Sequence, residues 1–547
     1  MADAQYDAII VGGGTKGLVL GCYLAEYGGM QTAIFEKRHE LGGCWASEEF
    51  IPGFIGDSHA TDIGRGYLWP LSEDFPDLKE KGGEWVAYKV AAGAIFREDD
   101  TCITIYHRLD DPDQEKTAGE ISKFSPADGE AWLDLWKTYN EVIRPAVARW
   151  SHNLPAPPDQ PLDVLEAAFM QAAKRMGGDA SWLVKSPLDL FREVFENDAV
   201  VAALLRIVHS YAGTPPDMAA AGPFELFMAL PELVNFGCAK GGTHSYAHAA
   251  FKVYTDRGGL SFANQAVDKI LVENGRAVGV RLENGTEVRA TKLVATDLDP
   301  YTVFFRLLSD VQVSPRLLRK IKHLSRKHIT ITWYPWAVEE LPDYKAAGFC
   351  KDINDSGWTA LISKDPEELV RIHARKVLRE KHYPENSLVV WAHTIVDPTR
   401  APEGKHSIGT EDFAVPPASV LTEKEWRSWK KEHAERVMQI LKQHTTNMNW
   451  DKVIGYAPWS PLEATNVGQT GPEGCWATID HIPSQVGRFR PVPELAGHRT
   501  SIKGLYCTGA GWFPLSGGTC TNGYTCYKAI CEDFGLRKPW EEKGRPF

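Results

Sequence analysis

Gly12, Gly14 and Gly17, inside the run Gly12-Gly13-Gly14-Thr15-Lys16-Gly17, have the types and the spacing to cradle a pyrophosphate. The first permits a tight turn, the second lets main chain approach the phosphates, and the third lets a helix pack closely on a sheet. The N-terminus of that helix adds free N–H donors and a partial positive charge. Glu36 stands nineteen residues beyond Gly17, where a carboxylate accepts hydrogen bonds from a ribose and repels a 2′-phosphate. The elements that must position these groups surround them. Residues 8–11 are an apolar run that reads as a strand, a helical pattern continues through Tyr27, and residues 32–35 read as a second strand, so the loop has a βαβ setting.

After Glu36 come Lys37, Arg38 and the pair Gly42-Gly43. An acid followed closely by a basic residue and two glycines resembles the FAD-binding N-terminus of the phytoene desaturase and amine oxidase superfamily. Two later blocks extend the resemblance. A glycine turn and helix near residues 240–256 lead to a strand through Val267, two Asn-Gly turns follow, and a strand ends at Thr296. Near the C-terminus, residues 504–511 deliver Gly509 and Gly511 to a loop containing Thr519 and Asn522, which opens a final helix. The three blocks are collinear with the phytoene desaturase, carotenoid isomerase and retinol saturase-like group.

The resemblance implies tightly bound FAD held by Gly12, Gly14, Thr15, Gly17, Glu36, Lys37, Gly42 and Gly43. It implies that the Val267 main chain meets the adenine and that the strand ending at Thr296 leads back to the isoalloxazine. Gly509, Gly511, Thr519 and Asn522 are expected at the ribityl and pyrimidine end, where a helix terminus stabilises negative charge on the reduced ring. The equivalent of residues 51–66 passes beside the flavin, which makes His59 a candidate acid or base, with a structural histidine as the alternative. His481, beside Asp480, and Tyr524 are the other catalytic candidates, and Lys240 and His244 lie on segments expected nearby.

The chain has 547 residues, 43% hydrophobic and 24% charged, with a net charge of −12. These are globular values, and the negative balance argues against a nucleic-acid surface. Its start carries no basic export signal and no run of about eighteen apolar residues occurs, so a cytoplasmic protein is expected. Peripheral membrane association stays open at residues 221–237, an apolar run broken by two prolines and two glutamates, which otherwise reads as a buried wall. The ten cysteines read as free thiols. No metal site is expected, since the spacing of Cys520, Cys526 and Cys531 fits no ordinary zinc site. The eighteen tryptophans are assigned to core and interface packing ahead of an aromatic cage.

The fold class that results is α/β, a discontinuous Rossmann-type FAD-binding domain (1–70, 238–300 and 480–547) with an inserted α+β substrate domain (71–237 and 301–479) that includes a helical insertion. The leading function is a phytoene dehydrogenase-like oxidoreductase that desaturates or saturates a carbon–carbon bond of an apolar or cyclic small molecule. A redox-neutral isomerase or hydratase using reduced FAD is one alternative, and a non-catalytic FAD-binding interaction protein is another. No second G-x-G-x-x-G and no cysteine pair near Cys44 is present, so the electron acceptor or donor lacks its own Rossmann site here. The oligomeric state stays open. Hydroxyl and amide groups at Ser516 and Thr519 to Asn522, where the family pattern has glycines and small apolar residues, favour a substrate with a carbonyl, carboxylate or hydroxyl.

Overall fold

The computed structural model describes residues 5–61, 63–64, 68–516 and 519–547. Asp62, Arg65 and Gly66 of the expected flavin-side segment, and Gly517 and Gly518 of the last loop, lie outside the described residues.

A seven-stranded sheet organises the site. Its strands run in the order Leu260–Phe262, Thr32–Phe35, Gln5–Val11, Glu287–Thr296, Arg276–Leu282 and Val267–Glu273, with Leu505–Cys507 also pairing Glu287–Thr296. The apolar runs seen in the sequence are its central parallel strands, buried on both faces as parallel strands must be. One face carries the helices Thr15–Glu26, His244–Asp256 and Thr521–Phe534, packed through Leu20, Tyr23, Tyr254 and Tyr527. The other is covered by the segment Val303–Leu307 and the helix Pro315–Lys322. Asn274 and Gly275, both at positive φ, turn the hairpin between Val267–Glu273 and Arg276–Leu282, as the Asn-Gly pair predicts.

Register explains where a ligand groove forms. Val11 pairs with Phe35 and with Thr296, and Thr296 pairs with Cys507, so four parallel strands end level. The residues that follow them, Gly12, Glu36, Asp297 and the Thr508-Gly509 pair, meet at one edge. In doubly wound sheets this crevice beyond the carboxyl ends is where ligands bind.

A second seven-stranded sheet draws on two distant stretches, in the order Val453–Tyr456, Thr332–Val338, His406–Asp412, Leu388–Trp391, Trp358–Ile362, Val90–Phe96 and Cys102–Tyr106. The helix Glu423–His444, capped by Thr422 in a capping box with Glu425, covers one face. The helices between Pro126 and Ala212 cover part of the other. The apolar run 221–237 lies within that layer, with Leu226, Phe227, Ala229 and Leu230 fully buried. Most of its apolar side chains face protein, as the buried-wall reading of this run expects. All ten cysteines are free, and only Cys44 is less than buried.

A buried ionic knot ties the sheets together. The Arg400 guanidinium contacts Asp57, donates to Asp397 at 3.0 Å, and donates to the Ala239 carbonyl at 2.8 Å. Asp57 also accepts from the Thr243 main chain and hydroxyl. Because two buried carboxylates share one guanidinium, the chain from Asp57 to His59 is held against the start of the helix His244–Asp256.

Candidate active site

The groove beyond the strand ends has a volume of about 450 Å³ and is lined by Gly12, Gly14, Thr15, Glu36, Lys37, Gly43 and Val267, all expected from the sequence. Glu36 already shows acceptor geometry, taking N–H groups from Gly13 at 2.7 Å and Arg38 at 2.8 Å on its two oxygens. Gly17 and Gly43 are required by close approach. A Cβ on Gly17 would lie 2.5 Å from the Gly12 carbonyl, and one on Gly43, at φ +57°, would lie 2.8 Å from the Gly14 Cα. Gly42 bridges to Gly14, and its carbonyl accepts from the Thr15 hydroxyl at 3.0 Å. A groove made of bare main chain at a helix N-terminus, with a carboxylate at the end of the second strand, suits a dinucleotide.

Thr296, Gly509 and Gly511 stand behind this surface instead of on it. Thr296 is fully buried in the sheet, and added carbons on Gly509 and Gly511 would strike Asp297 and Pro300. These positions shape the groove through main chain.

Two contributors escaped the sequence reading. Thr465 and Asn466, which end the helix Pro461–Asn466, and residues 468–472 of the loop after it also line the groove. Asp297, one residue past the strand, accepts from the Gly17 N–H at 2.9 Å, so a carboxylate sits at the helix N-terminus where an anion would bind. Burial pushes its pKa up to about 7, against the opposing effect of the Gly17 N–H and the Lys16 charge. The signal was present in Thr296-Asp297-Leu298-Asp299, but only the level strand ends turn Asp297 toward Gly17.

A cavity of about 110 Å³ adjoins the groove, and Lys16, Cys44 and Ala510 line both. Trp333, Trp358, Trp391 and Trp476 wall it. Strand pairing sets Trp358 opposite Trp391, so part of the tryptophan content both packs the core and faces the cavity. The indole N–H groups of Trp333 and Trp476 have no hydrogen-bond partner among the described residues, so they are donors available to a ligand oxygen.

His59 and His481 both lie in this wall. His59 stacks on Trp333 with ring centroids 4.9 Å apart and has Nε2 3.5 Å from the Cys44 thiol. His481 faces Ala212 O through Nδ1 at 2.9 Å and the Ser516 hydroxyl through Nε2 at 2.6 Å. A carbonyl only accepts, so Nδ1 carries the proton and Nε2 accepts from Ser516. Burial, with nearby cations (Lys16 and Arg38 for His59, Arg490 for His481), lowers both pKa values to about 3. Both rings are neutral at physiological pH, which does not suit them to take up a proton there.

The remaining candidates sit elsewhere. Tyr524 is corrected: it packs between helices against Tyr23, with centroids 5.3 Å apart, and against Trp540, and does not line the cavity. Asn522 is corrected as a ligand anchor because its groups are committed. Its amide donates to the carbonyls of Gly509, Trp512 and Leu515, and its oxygen accepts from Thr519 at 2.8 Å. Asn522→Ala should therefore lower stability by about 2 to 4 kcal/mol, since buried carbonyls lose their donor, and a fall in melting temperature before any cofactor is added checks this. Thr519 does line the cavity. Lys240 is exposed, and His244 pairs with Glu40 at 3.2 Å away from the cavity.

Arg490 fixes the cavity's C-terminal side. Fully buried, it donates to the carbonyls of Ala477 (2.9 Å), Gln485 (2.8 Å) and Ala510 (2.6 Å), tying the stretch that carries Trp476 and His481 to Ala510 at the junction. Among the described residues no cluster of side chains could hold a metal ion and no helix is long and apolar enough to cross a membrane.

Comparison with known proteins agrees with this architecture. Residues 10–80 match the NAD(P)-binding Rossmann-like domain family. The chain is 25% identical to one of the polypeptides of limonene dehydrogenase from Castellaniella defragrans, covering 98% of this chain and 96% of that protein. It is 24% identical to a neurosporene-forming phytoene desaturase of Rhodobacter capsulatus (93% and 90%) and 22% identical to prolycopene isomerase 2 of an Oncidium hybrid (98% and 85%). In three dimensions it is similar to cyclohexylamine oxidase of Brevibacterium oxydans, with a TM-score of 0.57 over 97% of this chain and 99% of that one at 15% identity. The chain is thus similar over most of its length to limonene dehydrogenase, phytoene desaturase and prolycopene isomerase proteins, and it shares the fold of cyclohexylamine oxidase.

Proposed function

We propose that this protein is an FAD-dependent oxidoreductase that forms or reduces a carbon–carbon double bond in a predominantly apolar small molecule. The observation that carries the reading is the shared boundary at Lys16, Cys44 and Ala510, where a dinucleotide groove adjoins a tryptophan-walled cavity. Gly12, Gly14, Glu36, Gly43 and Val267 hold the dinucleotide, and residues 465–466 and 468–472 also line its groove. When bound, FAD supplies a two-electron hydride acceptor or donor. The chain's own part is to exclude water with the aromatic walls, to orient an apolar skeleton against them, and to leave the indole N–H groups of Trp333 and Trp476 for a substrate oxygen. In this reading segments 1–70, 238–300 and 480–547 form the cofactor domain, and 71–237 with 301–479 build the substrate walls.

A redox-neutral reading is favoured by one finding, the match to prolycopene isomerase 2 over 98% of this chain. Anaerobic mixing with limonene, phytoene and prolycopene separates the two. Bleaching of the oxidised flavin by any of them, with a new double bond in the product, is the expected result. Turnover only after photoreduction, without net electron transfer, would replace it with the isomerase reading, and inertness in both states would leave a binding protein.

A further inference from the structure

We propose that Glu411 is the catalytic acid–base of this cavity, exchanging a proton with the substrate carbon next to the one that exchanges hydride. The inference rests on the oxidoreductase reading above. Glu411 lies on the strand His406–Asp412, directly opposite Trp333 on one neighbouring strand and two residues from Gly409, which faces Trp391 on the other. With a period of two, Glu411 and Gly409 point to the same face of the sheet, so one carboxyl interrupts a floor of indole rings. It is the one acidic side chain lining the cavity among the described residues, and it is 3% exposed. A buried carboxyl in an apolar wall costs free energy that an aliphatic residue would not.

Its surroundings support a proton carrier. The Ser210 hydroxyl donates to one carboxyl oxygen at 3.2 Å and is itself contacted by Arg206, whose guanidinium lies 3.9 Å from Glu411. Arg206 also donates to the Ser387 carbonyl at 2.6 Å, and Glu411 is the first of the carboxylates that offset the burial of its charge. Ser210 and Arg206 are positioning residues. The other groups bearing on Glu411 are Asp412 on its own strand, which favours the protonated form, and the Trp391 indole, which opposes it; Lys16 and the neutral rings of His59 and His481 line the same cavity. Burial raises the Glu411 pKa to about 7, with Arg206 and Ser210 opposing the rise. A group balanced there can both take and return a proton, which His59 and His481 cannot do.

The step balances as follows. FAD, when bound, would supply the two-electron acceptor for the hydride of one substrate carbon. The proton on the adjacent carbon passes to the Glu411 carboxylate, the electron pair of that C–H bond becomes the second bond between the carbons, and Glu411 later releases the proton to solvent. Saturation is the reverse.

The test compares wild type, Glu411→Gln and Glu411→Asp as FAD-loaded proteins. With limonene, phytoene or prolycopene as probe, the wild-type rate of anaerobic flavin reduction should rise with pH through about 7. E411Q should retain its flavin, reduce about 10² to 10⁴ times more slowly, and lose that inflection. E411D should recover part of the rate and keep the inflection, which a merely structural carboxyl would not restore. A second readout needs no substrate. In infrared spectra the carbonyl stretch of a protonated carboxyl should fade near pH 7, and the wild-type minus E411Q difference isolates Glu411 from Asp297. An E411Q enzyme as fast as wild type with the same pH profile would overturn Glu411 alone. If no probe bleaches the wild type, the reading of the reaction fails; the infrared difference then decides for Glu411, a titrating band supporting it and a silent one overturning it.

Discussion

Gly17→Ala should yield a folded protein that purifies without flavin and shows no rise in melting temperature when FAD is added. The added carbon would stand 2.5 Å from the Gly12 carbonyl and 2.9 Å from the Asp297 Cβ, distances that real Cβ atoms do not tolerate. Both obstacles are main chain or anchored to it, so neither side can swing away, and the turn must open or the helix must lift off the sheet. Either movement withdraws the helix N-terminus from the phosphates, and affinity should fall by at least about two to three orders of magnitude, the equivalent of losing about 3 to 4 kcal/mol. Over-packing of this kind also costs about 1 to 3 kcal/mol of stability. Gly119→Ala is the matched control. Gly119 lies inside the helix Glu115–Ser122 with open space around its missing side chain, so alanine there should keep flavin and gain up to about 1 kcal/mol of stability. A G17A protein that retains stoichiometric flavin would refute the placement of the cofactor.

Asp297→Asn should change how stability and cofactor affinity respond to pH. The folded carboxyl has a pKa of about 7 against an ordinary value of 3.8. Below about pH 4 the group is protonated in folded and unfolded chains alike and contributes no difference. Between about 4 and 7 the unfolded chain releases its proton while the folded chain keeps it, so stability falls as pH rises and levels off above about 7. A shift of about three units corresponds to about 4 kcal/mol, which the wild type should lose and D297N should not. Asparagine keeps an acceptor for the Gly17 N–H, so the loop should survive. Affinity follows the same linkage. A pyrophosphate at the helix N-terminus favours a neutral neighbour, so wild-type FAD affinity should weaken above pH 7 by up to about tenfold per unit, and D297N should hold constant. Urea unfolding of flavin-free protein at pH 5 and 8, with FAD titrations at the same values, reads both effects, and parallel pH curves for the two proteins would contradict the assignment.

Local sequence determined the glycine-lined groove of this protein. The glycine spacing, Glu36 and the Gly42-Gly43 pair act through main-chain geometry within about thirty residues, and such geometry is written in residue type: a Cβ is present or absent, and a carboxylate ends a strand or does not. The same holds for the Asn-Gly hairpin and for the helix that Thr422 caps. The lining of the tryptophan-walled cavity was decided by tertiary structure. Trp333, Trp358, Trp391 and Glu411 are spread over 78 positions of the chain and meet only because antiparallel register places them on one face of a sheet. A strand's alternation says that two faces exist but not which one will be floor to a cavity. Asn522 and Tyr524 show the converse. Their types and place near the flavin loop suggested ligands, yet folding committed the amide to three carbonyls and buried the phenol among helices. Burial likewise set the proton affinity of His59, because an imidazole removed from water and set near two cations is held well below its ordinary pKa. Residue type limits what a side chain can do, and the dielectric and partners that fix its proton come from the whole fold.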